Sequence, residues 1–428
     1  MGNGSFLVHL PSGRAIASLR AALLAAALAV ACGPTSAADV ARYRADEPIR
    51  IGFIGHLSGD LARIGVPMAE TTEFAGKGVL IEGHRIEFVR VDSGCDAADG
   101  VAAAKQLIDA GVVAVVGPAC GEAVLAAQPL FEQAGITHIS PSTTMVEATH
   151  PPGRDPYPTF LRMYYSDAVQ GRSLASFADS PLRAGSAYLV HEDSAYGQAL
   201  ADTFVAEFER RQGVLAGRQS YTPGAADVAA VVSEVRAEVA RLRPGVVAFF
   251  GDAAEGGALV SALREDGLDV PVLASDRVRQ DEFLRLAGAR ADGVYISLPH
   301  PEIPPGAYDA FLGKFDLEAA DVEIPFEPYG ELRSGEGGGR YRRLPAYDAS
   351  MVIVNALQQV ARADGDELRV DRDALNKAIR SVDIEGVTGR IKFDQRGDNV
   401  GKETPIVIFT VEGQQFVEHS RMLGVTPY

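Results

Sequence analysis

Apolar runs of strand length alternate with helix-period segments along most of this chain. Arg50 to Leu57, Arg85 to Asp92, Val112 to Pro118 and Ile136 to Ser140 predict the first four strands. Between the second and third, Gly100 to Ala110 puts Val101, Ala104, Leu107 and Ile108 on one face, the spacing of a helix laid on a sheet. Strands that alternate with helices pair in parallel, because each crossover returns the chain to the same edge. A second series begins at Ala187 to Val190 and continues through Val246 to Gly251, Val270 to Ala274 and Val294 to Leu298, with a helix over Ala226 to Arg241. The expected fold class is therefore α/β, with two doubly wound parallel-sheet lobes.

The pattern fails between Glu318 and Arg343, where Gly, Pro, Arg and Glu dominate, and 318–343 reads as a mobile surface insertion. Its glycines make no dinucleotide fingerprint, since no strand precedes them and Arg340 stands where the last glycine is needed. Helices over Ala346 to Arg362 and Asp371 to Ile379 follow, then strand-like runs at Gly389 to Phe393 and Pro405 to Val411.

The first 38 residues differ from the rest. Arg14 and Arg20 precede an apolar run from Ala21 to Ala31 that is too short to span a bilayer stably, the basic-apolar-small order of an export signal. Ala29-Val30-Ala31 before Cys32 resembles a bacterial lipobox, although Leu is more usual where Ala29 stands. Cys32 is thus the expected lipid attachment site, and a second reading places ordinary signal cleavage near Ala38. Both readings put the protein in the periplasm or cell envelope, where a disulfide is permitted. The net charge of −17 argues against a nucleic-acid partner, which demands a basic patch. Neither Gly-x-Ser-x-Gly, a P-loop nor His-Glu-x-x-His occurs, so a hydrolase is a distant third reading; no cofactor or metal is expected.

Motifs in fixed order carry a resemblance over the whole mature chain. Ile51 to Gly59, Val91 to Asp96, Val116 to Cys120, Ile139 to Thr144, Phe160 to Arg162 with Asp167 and Gln170-Gly171, Asp193 to Gly197, Gly386 to Gly389 and Phe393 to Asp398 together resemble the leucine/isoleucine/valine-binding proteins of bacterial ABC importers. That resemblance implies the type I periplasmic binding fold, in which the chain crosses between lobes three times. Crossings are expected near Tyr165, Leu298 and Val407. They divide the chain into 47–165 plus 299–406 and 166–298 plus 407–428.

The resemblance also implies a function, the capture of an amino acid or similar small molecule between the lobes and its delivery to an inner-membrane ABC permease. The same module presenting its ligand to a membrane receptor is the alternative. In open parallel sheets ligands sit beyond the carboxyl ends of strands, which directs attention to the interlobe cleft. In the first lobe these ends carry Gly121 at a helix start, whose N–H groups attract an anion, and the hydroxyls of Ser142 and Thr144. By resemblance Ser142 and Thr144 match positions that hold an α-carboxylate; the plain alternative is that they cap the next helix. In the second lobe Asp276 corresponds to the family's acidic residue for the ligand's ammonium and Tyr196 to its aromatic neighbour, with a helix cap before Gln280 as the plain reading of Asp276.

Cys95 and Cys120 follow neighbouring strands and match the family's paired-cysteine segments, so a disulfide between them is expected, worth roughly 3 kcal/mol in the chain-entropy model. A metal or redox pair is the competing reading, against which stand the absence of CxxC spacing and of a histidine clustered in the sequence. His191-Glu192-Asp193 reads as a solvated loop. Three departures bear on ligand identity: Gly121 stands where a serine is usual, Ile64 where an aromatic often covers the ligand, and Asp252 and Glu255 add acid near the cleft.

Overall fold

The computed structural model describes residues 40–59, 61–223, 228–299, 304–315, 340–401 and 405–422. Cys32 and residues 318–339 of the expected insertion lie outside the described residues. Arg340 to Arg343, assigned to the insertion from sequence, instead open a helix that begins before the expected Ala346 and carries Pro345 within it.

The first large sheet contains β2 (Ile49–Gly55), β3 (Leu80–Ile81), β4 (His84–Asp92), β5 (Ala114–Val116), β6 (Thr137–Ser140) and β7 (Phe160–Arg162), in the order β3-β4-β2-β5-β6-β7. The second contains β8 (Ser186–Glu192), β9 (Val214–Tyr221), β10 (Val246–Phe250), β11 (Val272–Ala274), β12 (Val294–Pro299), β17 (Ile406–Glu412) and β18 (Gln415–Met422), in the order β18-β17-β12-β11-β10-β8-β9. Two small sheets pair β1 (Val40–Arg44) with β14 (Glu367–Asp371) and β13 (Arg362–Asp364), and β15 (Asp383–Gly386) with β16 (Gly389–Lys392). The helices are α1 (Ala62–Phe74), α2 (Ala97–Asp109), α3 (Gly121–Gln133), α4 (Asp167–Asp179), α5 (Ala195–Arg210), α6 (Val228–Leu242), α7 (Ala253–Glu265), α8 (Asp281–Ala287), α9 (Ala307–Phe315), α10 (Arg340–Val360) and α11 (Arg372–Arg380). None of these is long and apolar enough to cross a membrane.

Strand β2 is buried along almost its whole length because helices cover both faces of its sheet, which is why it reads as a continuous apolar run. On one face Leu107 of α2 and Phe131 of α3 pack with Ile54 and Val115; on the other Met68 of α1 and Ile353 and Leu357 of α10 pack with Ile51 and Phe53. Each such fully buried side chain contributes roughly 1.5–3 kcal/mol. Gly100 lets α2 approach α3, since a Cβ there would stand 2.7 Å from Ala123 Cα.

The expectation of parallel sheets needs correction at the margins. The core strands do pair in parallel, but β3 is antiparallel to β4, and β17 is antiparallel to both β12 and β18. The chain leaves the second sheet at Pro299 and re-enters with Ile406 paired to it, so the returning strand must run the opposite way. Gly413 and Gln414, both with positive φ, then close the β17–β18 hairpin.

Two of the sequence motifs are explained by buried polar anchors. Asp348 of α10, fully buried, accepts from the backbone N–H groups of Val387 and Thr388 at 2.8 Å each and from the Thr388 hydroxyl at 2.7 Å, which secures the β15–β16 turn. Asp394 accepts from the N–H groups of Arg396, Gly397 and Asp398 at 2.8–2.9 Å. The turn so formed presents Asp398 to Arg162, which is wholly buried and donates to Asp398 Oδ1 at 2.5 Å, Met145 O at 2.7 Å and Thr149 Oγ1 at 2.7 Å. Asp398→Ala strands that guanidinium, and the expected loss is about 3–5 kcal/mol of unfolding free energy in urea denaturation. Arg162→Met with Asp398→Ala should lose less than Asp398→Ala alone.

Candidate functional site

Parallel pairing of β2 with β4 and β5, and of β5 with β6, brings four strand ends to one edge of the first sheet. His56, Cys95, Cys120-Gly121 and Ser142–Thr144 follow those ends. In the second sheet β8, β10, β11 and β12 are likewise parallel neighbours, so Glu192, Asp252 and Asp276 follow strand ends on one edge. The N-terminus of α4 lies against both groups: the Asp167 N–H donates to Thr144 O at 2.8 Å, and Gln170 Nε2 donates to Asp276 Oδ1 at 2.9 Å.

Around Gly121 the carbonyl end of β5 turns into α3 with Cys120 as N-cap in extended conformation and with no side-chain cap, so the N–H groups of the first turn point outward without one. A Cβ on residue 121 would collide with Sδ and Cγ of Met145 and stand 3.4 Å from Thr143 Oγ1. A side chain at residue 121 would have to displace that of Met145. Ser142 Oγ donates to Ala119 O at 3.0 Å, and the Thr144 hydroxyl bonds Asp167. Neither caps the next helix: the short turn over Val146–Ala148 has Met145 as its N-cap and no side-chain cap.

Asp276 follows β11 and opens a single helical turn over Asp276–Val278 that has no side-chain cap, so the cap reading fails for it too. Its Oδ1 accepts from Tyr196 OH at 3.1 Å and from Gln170 Nε2, whose other bonds go to Ser297 O and Oγ at 3.0 Å each. The structure thus brings Tyr196 and Asp276 together. Desolvation, then the Asp276 and Asp167 carboxylates, push the Tyr196 phenol well up, which keeps it a donor.

Several residues at these strand ends carry roles that sequence reasoning did not assign. Arg277 lies 3.8 Å over the Tyr196 ring, pairs with Glu192 at 2.8 Å and reaches Asp252 at 3.7 Å. Of the two acids expected near the cleft, Asp252 thus has a cation within 3.7 Å, which it shares with Glu192. His191 and Glu192 are buried, not solvated; His191 Nε2 accepts from Arg218 while Glu192 takes Arg277, so adjacent residues face opposite ways as alternation requires. Ile64 is buried in the same core cluster as Met68. Asp167 and Gln170 carry one such role; the signal that marks them in the sequence is an acid and an amide about one turn apart at a helix start.

Cys95 and Cys120 are joined by a disulfide with Cα atoms 5.4 Å apart. The expected disulfide is thus present, and the fold adds what the sequence spacing did not show: His56, distant in sequence, sits with Nδ1 3.6 Å from Cys120 Sγ. Parallel pairing of β2 with β4 and β5 produces that neighbourhood.

A family model described as periplasmic binding protein matches residues 48–415. A Pseudomonas aeruginosa protein named leucine-, isoleucine-, valine-, threonine-, and alanine-binding protein is 26% identical over 362 residues, 83% of this chain and 88% of its own. An amino acid binding protein of the same species is 31% identical over 209 residues, 49% of this chain and 54% of its own. The crystal structure of the branched-chain amino acid transporter substrate binding protein LivJ from Streptococcus pneumoniae, in complex with isoleucine, has a TM-score of 0.59 at 22% identity over 88% of this chain and 99% of that one. The last of these is a likeness of fold.

Burial, and next the facing Asp276 carboxylate, push the Asp167 carboxyl up to about 8, against the pull of Thr144, Arg162 and Arg277. An unfolded chain loses this proton near 3.8 whereas the folded chain retains it, so the stabilisation is complete below the lower value and lost as pH rises through the upper one. Asp167→Asn, neutral at every pH, should therefore raise the melting temperature of the ligand-free protein at pH about 8 relative to wild type, with the difference shrinking toward pH about 5. Differential scanning calorimetry at both values measures it; a constant difference would show that Asp167 does not titrate in this window.

Proposed function

Because the chain belongs to the periplasmic binding protein family, we propose that it is the extracytoplasmic solute-binding protein of an ABC importer. It takes an amino acid, with leucine, isoleucine and valine the first candidates, and delivers it to an inner-membrane permease. The two lobes in this reading are 47–165 plus 299–406 and 166–298 plus 407–428, hinged where the chain crosses between them. Relatives named for amino-acid binding support the ligand class.

The observation that carries the proposal is the orientation of Asp276. Tyr196 and Gln170 both bond its Oδ1, which sets the carboxylate plane at the strand end before any ligand arrives. Such preorganisation lowers the ordering cost of binding. An α-ammonium at Asp276 makes a charge-assisted bond worth about 1.5–3 kcal/mol, and Asp167 adds a second carboxyl beside it. On the first lobe the N–H groups of Gly121 and its neighbours receive the α-carboxylate, and the hydroxyls of Ser142 and Thr144 join them by turning from the Ala119 carbonyl and Asp167 that they bond here; a helix N-terminus contributes about 0.3–2 kcal/mol to that contact. With acid and amine read by different lobes, only a ligand carrying both favours the closed form over the open one.

Asp276→Ala should lose most of the rise in melting temperature that leucine, isoleucine or valine produces in the wild-type protein, while Asp276→Glu should retain part of it. Undiminished stabilisation in Asp276→Ala would place the ammonium elsewhere. Cys32 is the proposed acyl attachment site, and Cys32→Ser should move the protein from the membrane to the soluble fraction of cell extracts; unchanged fractionation rules the anchor out.

A further inference from the structure

We propose that reducing the Cys95–Cys120 disulfide unmasks a binding site for a thiophilic divalent cation such as zinc, with His56 as the third protein ligand. One atom from each residue, the two Sγ and a ring nitrogen, already lies within 4.8 Å of the others. In a tetrahedral zinc centre, bonds of about 2.3 Å to sulfur and about 2.0–2.1 Å to nitrogen set sulfur and nitrogen about 3.6 Å apart. That is the separation of Cys120 Sγ and His56 Nδ1 in the disulfide form. The spacing of two of the three ligands is therefore already that of the metal centre.

The third has room to move. Cys95 is exposed and follows Gly94, which has positive φ, whereas His56 is buried. Cys95 Sγ must retreat from its bonded partner to about 3.8 Å, the sulfur–sulfur edge of the same tetrahedron. Asp92 fixes the backbone around this movement, since its Oδ1 accepts from the N–H groups of Leu57 at 2.8 Å and Gly94 at 3.0 Å and so clasps the two loops that carry His56 and Cys95. Cys120 is the N-cap of the 13-residue α3, and a helix start favours the thiolate that a metal requires. Thiolate and imidazole ligands select soft or borderline cations over calcium and magnesium.

The chemistry balances with a phosphine reductant. The sulfur–sulfur bond takes two electrons from phosphorus and two protons from water, and the phosphine leaves as its oxide. Metal binding then releases both thiol protons to solvent, and His56 gives the Nδ1 lone pair with its own proton on Nε2. A solvent molecule completes the coordination.

The test uses the full chain with Cys32→Ser, which removes the remaining cysteine. Cobalt(II) is titrated into phosphine-reduced and unreduced protein, in parallel with reduced Cys95→Ser/Cys120→Ser and His56→Ala variants. Expected are one cobalt per reduced chain with thiolate-to-cobalt charge transfer and tetrahedral visible bands, bleaching by one equivalent of zinc, no such spectrum from the unreduced or cysteine-free chains, and binding at least about tenfold weaker in His56→Ala. Cadmium-113 resonance of the reduced protein with native His56 gives the donor set without relying on that variant's fold. A shift typical of two sulfurs and one nitrogen supports the site. Failure of the reduced protein to develop thiolate charge transfer, equal affinity in a folded His56→Ala, or a cadmium shift typical of sulfur and oxygen alone would each overturn it.

Discussion

A charge removed from water must be matched, and that requirement organises the ground between the two large sheets. Arg162 is wholly buried and stable there only because Asp398, Thr149 and the Met145 carbonyl receive its donors. Glu192 is buried at the end of β8 and takes Arg277. Asp167, buried and with Asp276 facing it, has the Thr144 hydroxyl but, among the described residues, no cation paired to it, and its carboxyl is held well above the usual carboxylate range. The same low-dielectric setting that makes these groups expensive to bury makes an opposite charge beside them effective.

Parallel pairing then decides what shares an edge. Each right-handed crossover returns the chain so that the next strand also ends on the same side, and residues separated by tens of positions become neighbours. Cys95 and Cys120 meet in this way, and His56 with them. The loop after β6 likewise lays Met145 over the start of α3, beside Gly121.

Strands and helices with strong periodicity were legible in the sequence because burial imposed that periodicity: β2, β10 and β12 read as apolar runs, and α2 as a one-faced helix. Strands that bury little were not. The edge strand β9 has Arg218, Gln219 and Ser220 near its end, and β18 is largely exposed. A strand at the margin of a sheet is held by backbone hydrogen bonds on one side, which leave no trace in side-chain pattern. The motif from Phe393 to Asp398 was visible as a string, but its purpose, delivery of a carboxylate to Arg162, needed the fold.

By itself the chain's sequence determined the alternation of elements, the two doubly wound units and the residues standing at strand ends, since apolar period and turn residues are local properties. It also marked Tyr196 and Asp276 as companions through family likeness. Tertiary structure alone decided that Asp276 is steered by Gln170, that Arg277 pairs with Glu192 beside Asp252, that Met145 lies against Gly121, and that His56 joins the cysteine pair. The reason is common to all four. Each depends on distances between segments remote along the chain, and those distances are set by sheet order and register, which no window of residues contains.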